Sequence, residues 1–361
     1  MAIYYFTIIV FALLSFGAKT KKQQYFSLCV SFIFLWLLAS LRSLTIGNDT
    51  YSYYLLFRQI ERGLDYILLQ GRFEIGYVYL TYLVSKITSD FTVFLLLTGA
   101  YVYYAYFLFI KRYSANYMLS VLLFLCLGYW GQTVNVIRIQ LAVATMIYAY
   151  ILLAKENKRI GYGVGLFSIL FHRLSIVYIC SLIIPQKISL KFYAISLIVV
   201  SLCYIFFESA INQVVSLIPY YGQYVQATSR YSIGQASIAI YIRGAMSLLI
   251  WAFAIYQFNR MREVINTSKK KDIATQINMI FVSLLIFCLA TKFNILDRCE
   301  IFYGIFCIVL IPNLVSLIKD KSVSRLLWGS AVVIAVAYFT VINVYRPEWN
   351  QIYPYHTFLF D

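Results

Sequence analysis

Apolar runs of roughly 15–22 residues recur from one end of this chain to the other. Each is long enough to cross the hydrocarbon core of a bilayer as one helix. In lipid every backbone polar group must be satisfied within the protein, so only helices and closed barrels can span it. Runs of this length select helices. Composition agrees, with 62% hydrophobic residues, 12% charged and a mean hydropathy of +0.78. A soluble domain lies nearer half apolar and a quarter charged. The expected class is an all-α polytopic membrane protein, one integral-membrane domain over residues 1–361. The first run, Ile3–Phe16, has no basic residue before it and no small-residue cleavage site after it, and reads as a retained helix.

Lysine clusters orient the runs, because basic residues hold loops in the cytoplasm. Lys19/Lys21/Lys22, Lys155–Arg159, Lys269–Lys271 and Lys319/Lys321 define the inner side. Two segments resist simple counting. Phe73–Lys86 is short for a span and reads as a re-entrant or outer-leaflet helix. Ile160–Pro185 is long for one span and carries His172-Arg173 at its centre, which favours two short helices meeting there. The expectation is about twelve transmembrane helices plus the re-entrant helix. Both termini lie outside, with outer loops near 43–90, 209–236, 292–300 and 346–361.

A net charge of +16 would suggest nucleic acid in a soluble protein. Here the loops account for it, and no basic face of any length is free of the bilayer. Seven cysteines without CxxC spacing and two histidines offer neither a disulfide framework nor a zinc site. No phosphate-cradling glycine loop is present. By this topology about 13 of the 15 lysines are cytoplasmic, as the positive-inside rule requires. About 10 of the 15 arginines fall outside, which it does not predict. Arginine is a planar fork suited to phosphate and carboxylate, so the excess points to an anionic ligand there. Pairing with Asp49, Glu61, Asp65, Glu74, Asp297 and Glu300 is the plainer account of some of it. Outer tyrosines, including Tyr51, Tyr54, Tyr220, Tyr221, Tyr224 and Tyr231, form either an interfacial belt or a stacking surface for sugar rings.

Arg42 ends a span, and Arg138 and Arg243 sit about a turn inside theirs, where a charge is costly and suggests function. Arg298 precedes another span and either binds an anion or pairs with Asp297 or Glu300. His172, beside Arg173, could move a proton near neutral pH or simply cap a helix. Glu74 either opens a helix as a dipole-favoured carboxylate or serves a hydroxyl. Asp49 reads first as the N-cap of an amphipathic helix that buries Tyr53, Phe57, Ile60, Leu64 and Ile67 on one face.

Five stretches stand in order along nearly the whole chain: "LRSLTIGNDTYSYY", "FEIGYVYL", "VIRIQLAVA", "FHRLSIVYI" and "DRCEIFY". Together they resemble the EpsG-type branch of the Wzy polysaccharide polymerases. One departure is visible: Ile139 separates Arg138 from Gln140, where the family more often has Arg-Gln directly, which puts the role of Gln140 in doubt.

The resemblance implies a GT-C-like membrane glycosyltransferase on the outer side of the bacterial inner membrane. Its donor and acceptor would be undecaprenyl-diphosphate-linked oligosaccharides, with neither metal nor other cofactor. A chain-length regulator and a flippase of the same pathway are the implied partners. Arg138 and Arg298 would hold the diphosphate, with Arg42, Arg243 and Arg173 adding charge. His172, Glu74 or Asp49 would serve the acceptor hydroxyl, and Tyr51, Tyr54, Tyr77 and Tyr303 the sugars. An O-antigen ligase shares the arginine logic and differs in acceptor. A flippase would need a charged path across the membrane, and the span centres are apolar.

Overall fold

The computed structural model describes residues 1–18, 20–60, 63–154, 157–217, 236–263 and 265–358. These residues are helical almost throughout. The one β feature among them is an isolated antiparallel bridge between Arg42 and Thr357. Six helices are long and apolar enough to cross a membrane, or nine if each of three bent pairs is one span. This is a multi-pass membrane protein. The chain divides into two compact units, Met1–Ile179 with Val315–Asp361, and Cys180–Leu314.

The first unit begins with α1 (Ala2–Gly17) and α2 (Lys21–Ser40). Thr20 and Gln23 start α2 with a reciprocal capping box. Two short helices follow, α3 (Thr50–Ile60) and α4 (Leu64–Gln70), then α5 (Ile75–Ser85). The described residues of the expected amphipathic helix form these two helices, Thr50–Ile60 and Leu64–Gln70. Its apolar face is buried as expected at Tyr53, Phe57, Ile60 and Ile67. That face packs on protein: Phe57 lies 5.7 Å from Phe91 and 5.5 Å from Phe94, ring centre to ring centre. With 11 residues, α5 is too short to cross a bilayer.

Helix α6 (Phe91–Tyr113), the bent pair α7 (Tyr117–Cys126) and α8 (Tyr129–Asn135), and α9 (Ile137–Ala154) form the core with α2. Between helices in lipid, association rests on close packing and hydrogen bonds more than on expelling water. Both are present here. Tyr106 donates to Gln140 Oε1 at 2.8 Å, Trp130 Nε1 to Leu35 O at 3.2 Å, and Trp36 Nε1 to Leu96 O at 3.0 Å. Gln140 therefore has a structural partner in the α6–α9 seam. Helix α10 (Lys158–Phe167) ends in a turn at 168–172, followed by a 3-10 helix, Arg173–Ile183. The break in Ile160–Pro185 falls at His172, where the sequence suggested it.

The second unit holds α11 (Leu190–Ile205), α12 (Phe207–Leu217), α13 (Ile238–Met261), α14 (Thr267–Ala290), a 3-10 turn Asn294–Cys299, α15 (Ile301–Gly304) and most of α16 (Cys307–Ser316). Tyr193, Phe281 and Leu285 form its core with Trp251. The last helix, α17 (Lys321–Tyr345), returns to the first unit, and residues 346–358 fold back over it as an irregular strap.

Candidate active site

One end of the first unit gathers four of the five motif stretches. Glu74 precedes α5 and is buried. Its Oε2 accepts from Arg138 Nη1 at 2.5 Å, and its Oε1 accepts from the Arg173 backbone N–H at 3.3 Å. Both carboxylate oxygens are therefore engaged. Gly76 makes this possible. A Cβ there would lie 2.7 Å from Leu170 Cβ and 2.8 Å from Leu170 O, so only glycine lets α5 approach the 168–172 turn this closely.

Arg138 is the second residue of α9. Its guanidinium lies 4.9 Å from the centre of the Phe73 ring, to which the exposed Arg72 also comes within 5.2 Å. Its Nε is buried without a hydrogen-bond partner, as is the hydroxyl of Tyr77. The Tyr53 and Tyr77 rings touch edge to face at 5.6 Å. Arg138 and Asp49 both lie close enough to act on the Tyr53 hydroxyl electrostatically. Burial pushes the Tyr53 hydroxyl up to about 12, so it is a neutral donor at ordinary pH.

Arg42 is buried just beyond α2. Its Nε and Nη2 donate to Thr50 Oγ1 at 3.4 and 3.3 Å, and its Nη1 to Ala39 O. No carboxylate pairs with it among the described residues. Burial pulls its guanidinium down to about 10, so it remains a cation at neutral pH.

His172 is nearly buried, and its Nδ1 accepts from the Leu174 N–H at 3.2 Å. In the neutral imidazole the proton then sits on Nε2, making that atom a donor rather than a base. The Arg173 side chain is exposed. Asp49 is half-buried at the start of α3, where its carbonyl accepts from Tyr53 N–H at 3.0 Å. Tyr51 is 56% exposed, and Tyr54 packs on Phe91. Tyr77 is fully buried.

The strap left no sign in the residue pattern. Ser43 N–H bonds His356 O, Gly47 N–H bonds Gln351 O, and the Asn48 side chain donates to the carbonyls of Glu348 and Trp349. Asn135 joins three segments: its Oδ1 accepts from Asp49 N–H at 3.3 Å, and its Nδ2 donates to Trp349 O at 3.3 Å.

The fifth stretch lies in the second unit and forms its own cluster. Arg243 donates to Asp297 Oδ2 at 3.3 Å and to Glu300 Oε2 at 2.9 Å. Ser283 donates to Glu300 Oε1 at 2.9 Å, and Phe287 lies under the guanidinium at 4.9 Å. Asp297 and Glu300 thus hold Arg243. Arg298 is half-buried on the Asn294–Cys299 turn, and Tyr303 is fully buried. Glu61, Arg62, Tyr220, Tyr221, Tyr224, Arg230 and Tyr231 lie outside the described residues. No three His, Cys, Asp or Glu side chains converge as a metal site among the described residues.

The fold and the site define a helical, multi-pass membrane protein with arginines gathered beside aromatic rings. The family comparison is specific: the EpsG family model matches residues 25–357, and the chain belongs to that family. Membership points to a polymerase-type function in polysaccharide synthesis at a membrane. No curated protein and no solved structure matches the chain.

Proposed function

We propose that this protein lengthens a bacterial surface polysaccharide by glycosyl transfer between lipid-linked repeat units. The growing chain on undecaprenyl diphosphate passes to a hydroxyl of the next repeat unit, on the periplasmic side of the inner membrane. Adding α1 and the two short helices of 158–183 to the nine candidate spans gives the twelve membrane helices this reading carries, in a GT-C-like arrangement, with the two short ones meeting at His172 instead of each crossing alone.

The observation that supports it best is Arg138. Its guanidinium is oriented by Glu74, rests against Phe73 and keeps a buried Nε donor without a partner. A leaving diphosphate develops charge as the glycosidic bond breaks, and fixed cations placed where charge develops are often the largest catalytic contribution. Arg138 binds the diphosphate, and Arg42 supplies a buried charge behind it. Exposed Arg72 and Arg173 guide the anion at the rim. Glu74 is a positioning residue, since it holds the Arg138 guanidinium and the Arg173 N–H at once. His172 presents Nε2–H as a donor. Tyr51 offers an exposed face to a sugar ring. In the second unit Arg243 is committed to two carboxylates and supports the fold rather than the anion.

The test is purified protein with lipid-linked repeat units and no nucleotide sugar. A ladder of longer chains supports polymerisation. One added unit on a lipid-A-type acceptor supports a ligase instead, and no product sinks both. Arg138→Lys keeps a charge but loses the fork, and is expected to lower chain extension at least ~100-fold while the protein still inserts.

A further inference from the structure

The described carboxylates of the first unit have distinct fates. Glu74 has both oxygens engaged. Asp90 and Asp320 cap helices. Glu348 pairs with Arg346 at the surface, and Asp65 is exposed on α4. Asp49 differs from all of these. It is half-buried, and its carboxylate makes no hydrogen bond or ion pair. It precedes α3, yet it does not cap that helix through its side chain: Tyr53 N–H goes to its backbone carbonyl.

The backbone around Asp49 is nonetheless tightly held. Asn135 grips its N–H, the strap grips Gly47 and Asn48, and Thr50 is tied to Arg42. Gly47 sits at φ +85°, and a Cβ there would come within 3.0 Å of Val134 O. Several interactions therefore fix a carboxylate that uses none of them for itself. Asp49 N–H bonds Asn135 Oδ1, three residues before Arg138 in the chain, which puts Asp49 beside the start of the helix that carries the diphosphate ligand.

We infer that Asp49 receives the acceptor sugar hydroxyl and takes its proton during transfer. This rests on the proposed glycosyl transfer and adds the acceptor side to it. The O–H bond gives its proton to the Asp49 carboxylate. The freed oxygen bonds to the anomeric carbon. The bond from that carbon to the lipid diphosphate breaks, and its electron pair leaves on the phosphate oxygen. Asp49 then returns the proton to water.

Two variants and two readouts test this. Asp49→Asn keeps the shape and cannot accept a proton. Asp49→Ser keeps an N-cap side chain and likewise cannot. Chain extension from lipid-linked repeat units should fall ~100-fold or more in both. Binding of farnesyl diphosphate, as a short polyprenyl diphosphate probe, should stay within ~2-fold of the unaltered protein. Chain extension within ~5-fold of normal in either variant, in protein that elutes as a single species, overturns the role. So does parallel loss of probe binding, which would make Asp49 part of the donor site. Arg138→Lys separates the two claims: it should weaken probe binding whatever Asp49 does. If it does not, the diphosphate reading fails, whereas normal extension in Asp49→Asn beside weakened Arg138→Lys sinks the Asp49 role alone. Absence of product from the unaltered protein overturns both.

Discussion

Replacing Glu74 with glutamine distinguishes a carboxylate that positions from one that reacts. The native side chain offers two acceptor oxygens to two donors, Arg138 Nη1 at 2.5 Å and Arg173 N–H at 3.3 Å. Glutamine offers one oxygen and one NH2. Whichever way the amide turns, one donor faces another. A hydrogen bond to a charged group contributes about 1.5–3 kcal/mol, and a stranded donor adds its desolvation penalty. The pair is mostly buried, with side chains 9% and 22% exposed, so solvent screens it only partly. A loss of about 2–4 kcal/mol follows, which for a unit of this size corresponds to roughly 5–10 °C in melting temperature. Arg138 loses its orientation in the same step, so probe diphosphate binding and chain extension should both drop ~10-fold or more. Thermal melting in detergent, probe binding and the chain-length ladder measure the three effects. Unchanged melting and binding with chain extension abolished would refute the positioning role and make Glu74 a reacting group. No change in any of the three would remove the Glu74–Arg138 pair from the site altogether.

Substitutions at three other contacts follow, with their controls. Gly76→Ala forces α5 away from Leu170 and should cost about 1–3 kcal/mol and lower chain extension, whereas Gly163→Ala, with open space around it, should be neutral or slightly stabilising in the same melting assay. Asn135→Ala releases Asp49 N–H and Trp349 O together; limited proteolysis should then cut the 346–358 strap faster, with about 1–3 kcal/mol lost on melting. Arg243→Ala strands Asp297 and Glu300 in the second unit and should destabilise the protein by about 3–5 kcal/mol, while Arg243→Lys, which cannot fork to both, recovers only part of that on melting.

Periodicity and run length carried the helical class, the short α5 and the break at His172, because those depend on local pattern and on bilayer thickness. The buried face of α3 and α4 was equally legible at Tyr53, Phe57, Ile60 and Ile67. What the pattern could not show was which partner each charge takes. Asp297 and Glu300 stand beside Arg298 in sequence, yet both reach Arg243, more than 50 residues away. Asp49 carried every mark of an N-cap, and its side chain does not cap. Glu74 looked equally able to react or to position until both its oxygens were placed. The strap was the least visible element: Pro347 and Pro354 break its periodicity, and most of its contacts run through its own backbone to partners some 300 residues distant, which leave little pattern in side-chain type. Tyr77 and Tyr303 read as sugar-facing rings, but burial closes their faces, leaving Tyr51 as the exposed one.

Charge compensation sorts the arginines further and leads to a prediction on Arg42. Among the described residues Arg243 faces two carboxylates and Arg138 one, whereas Arg42 meets only a carbonyl and a hydroxyl. Its positive charge is buried and faces no described carboxylate. At an effective dielectric of about 20, such a cation attracts an anion roughly 8 Å away by about 2 kcal/mol, close to a 30-fold change in affinity. Salt screens a buried charge less than it screens exposed Arg72 and Arg173. Arg42→Gln should therefore weaken farnesyl diphosphate binding ~30-fold, and the deficit should persist as ionic strength rises. Arg42→Lys separates the field from the tether. A single ammonium keeps the charge but cannot serve both Ala39 O and Thr50 Oγ1, so melting should fall while binding stays within a few-fold. If Arg42→Gln binds the probe normally, Arg42 serves only to tie α2 to α3. If Arg42→Lys binds as poorly as Arg42→Gln, the fork rather than the charge is what the donor site needs.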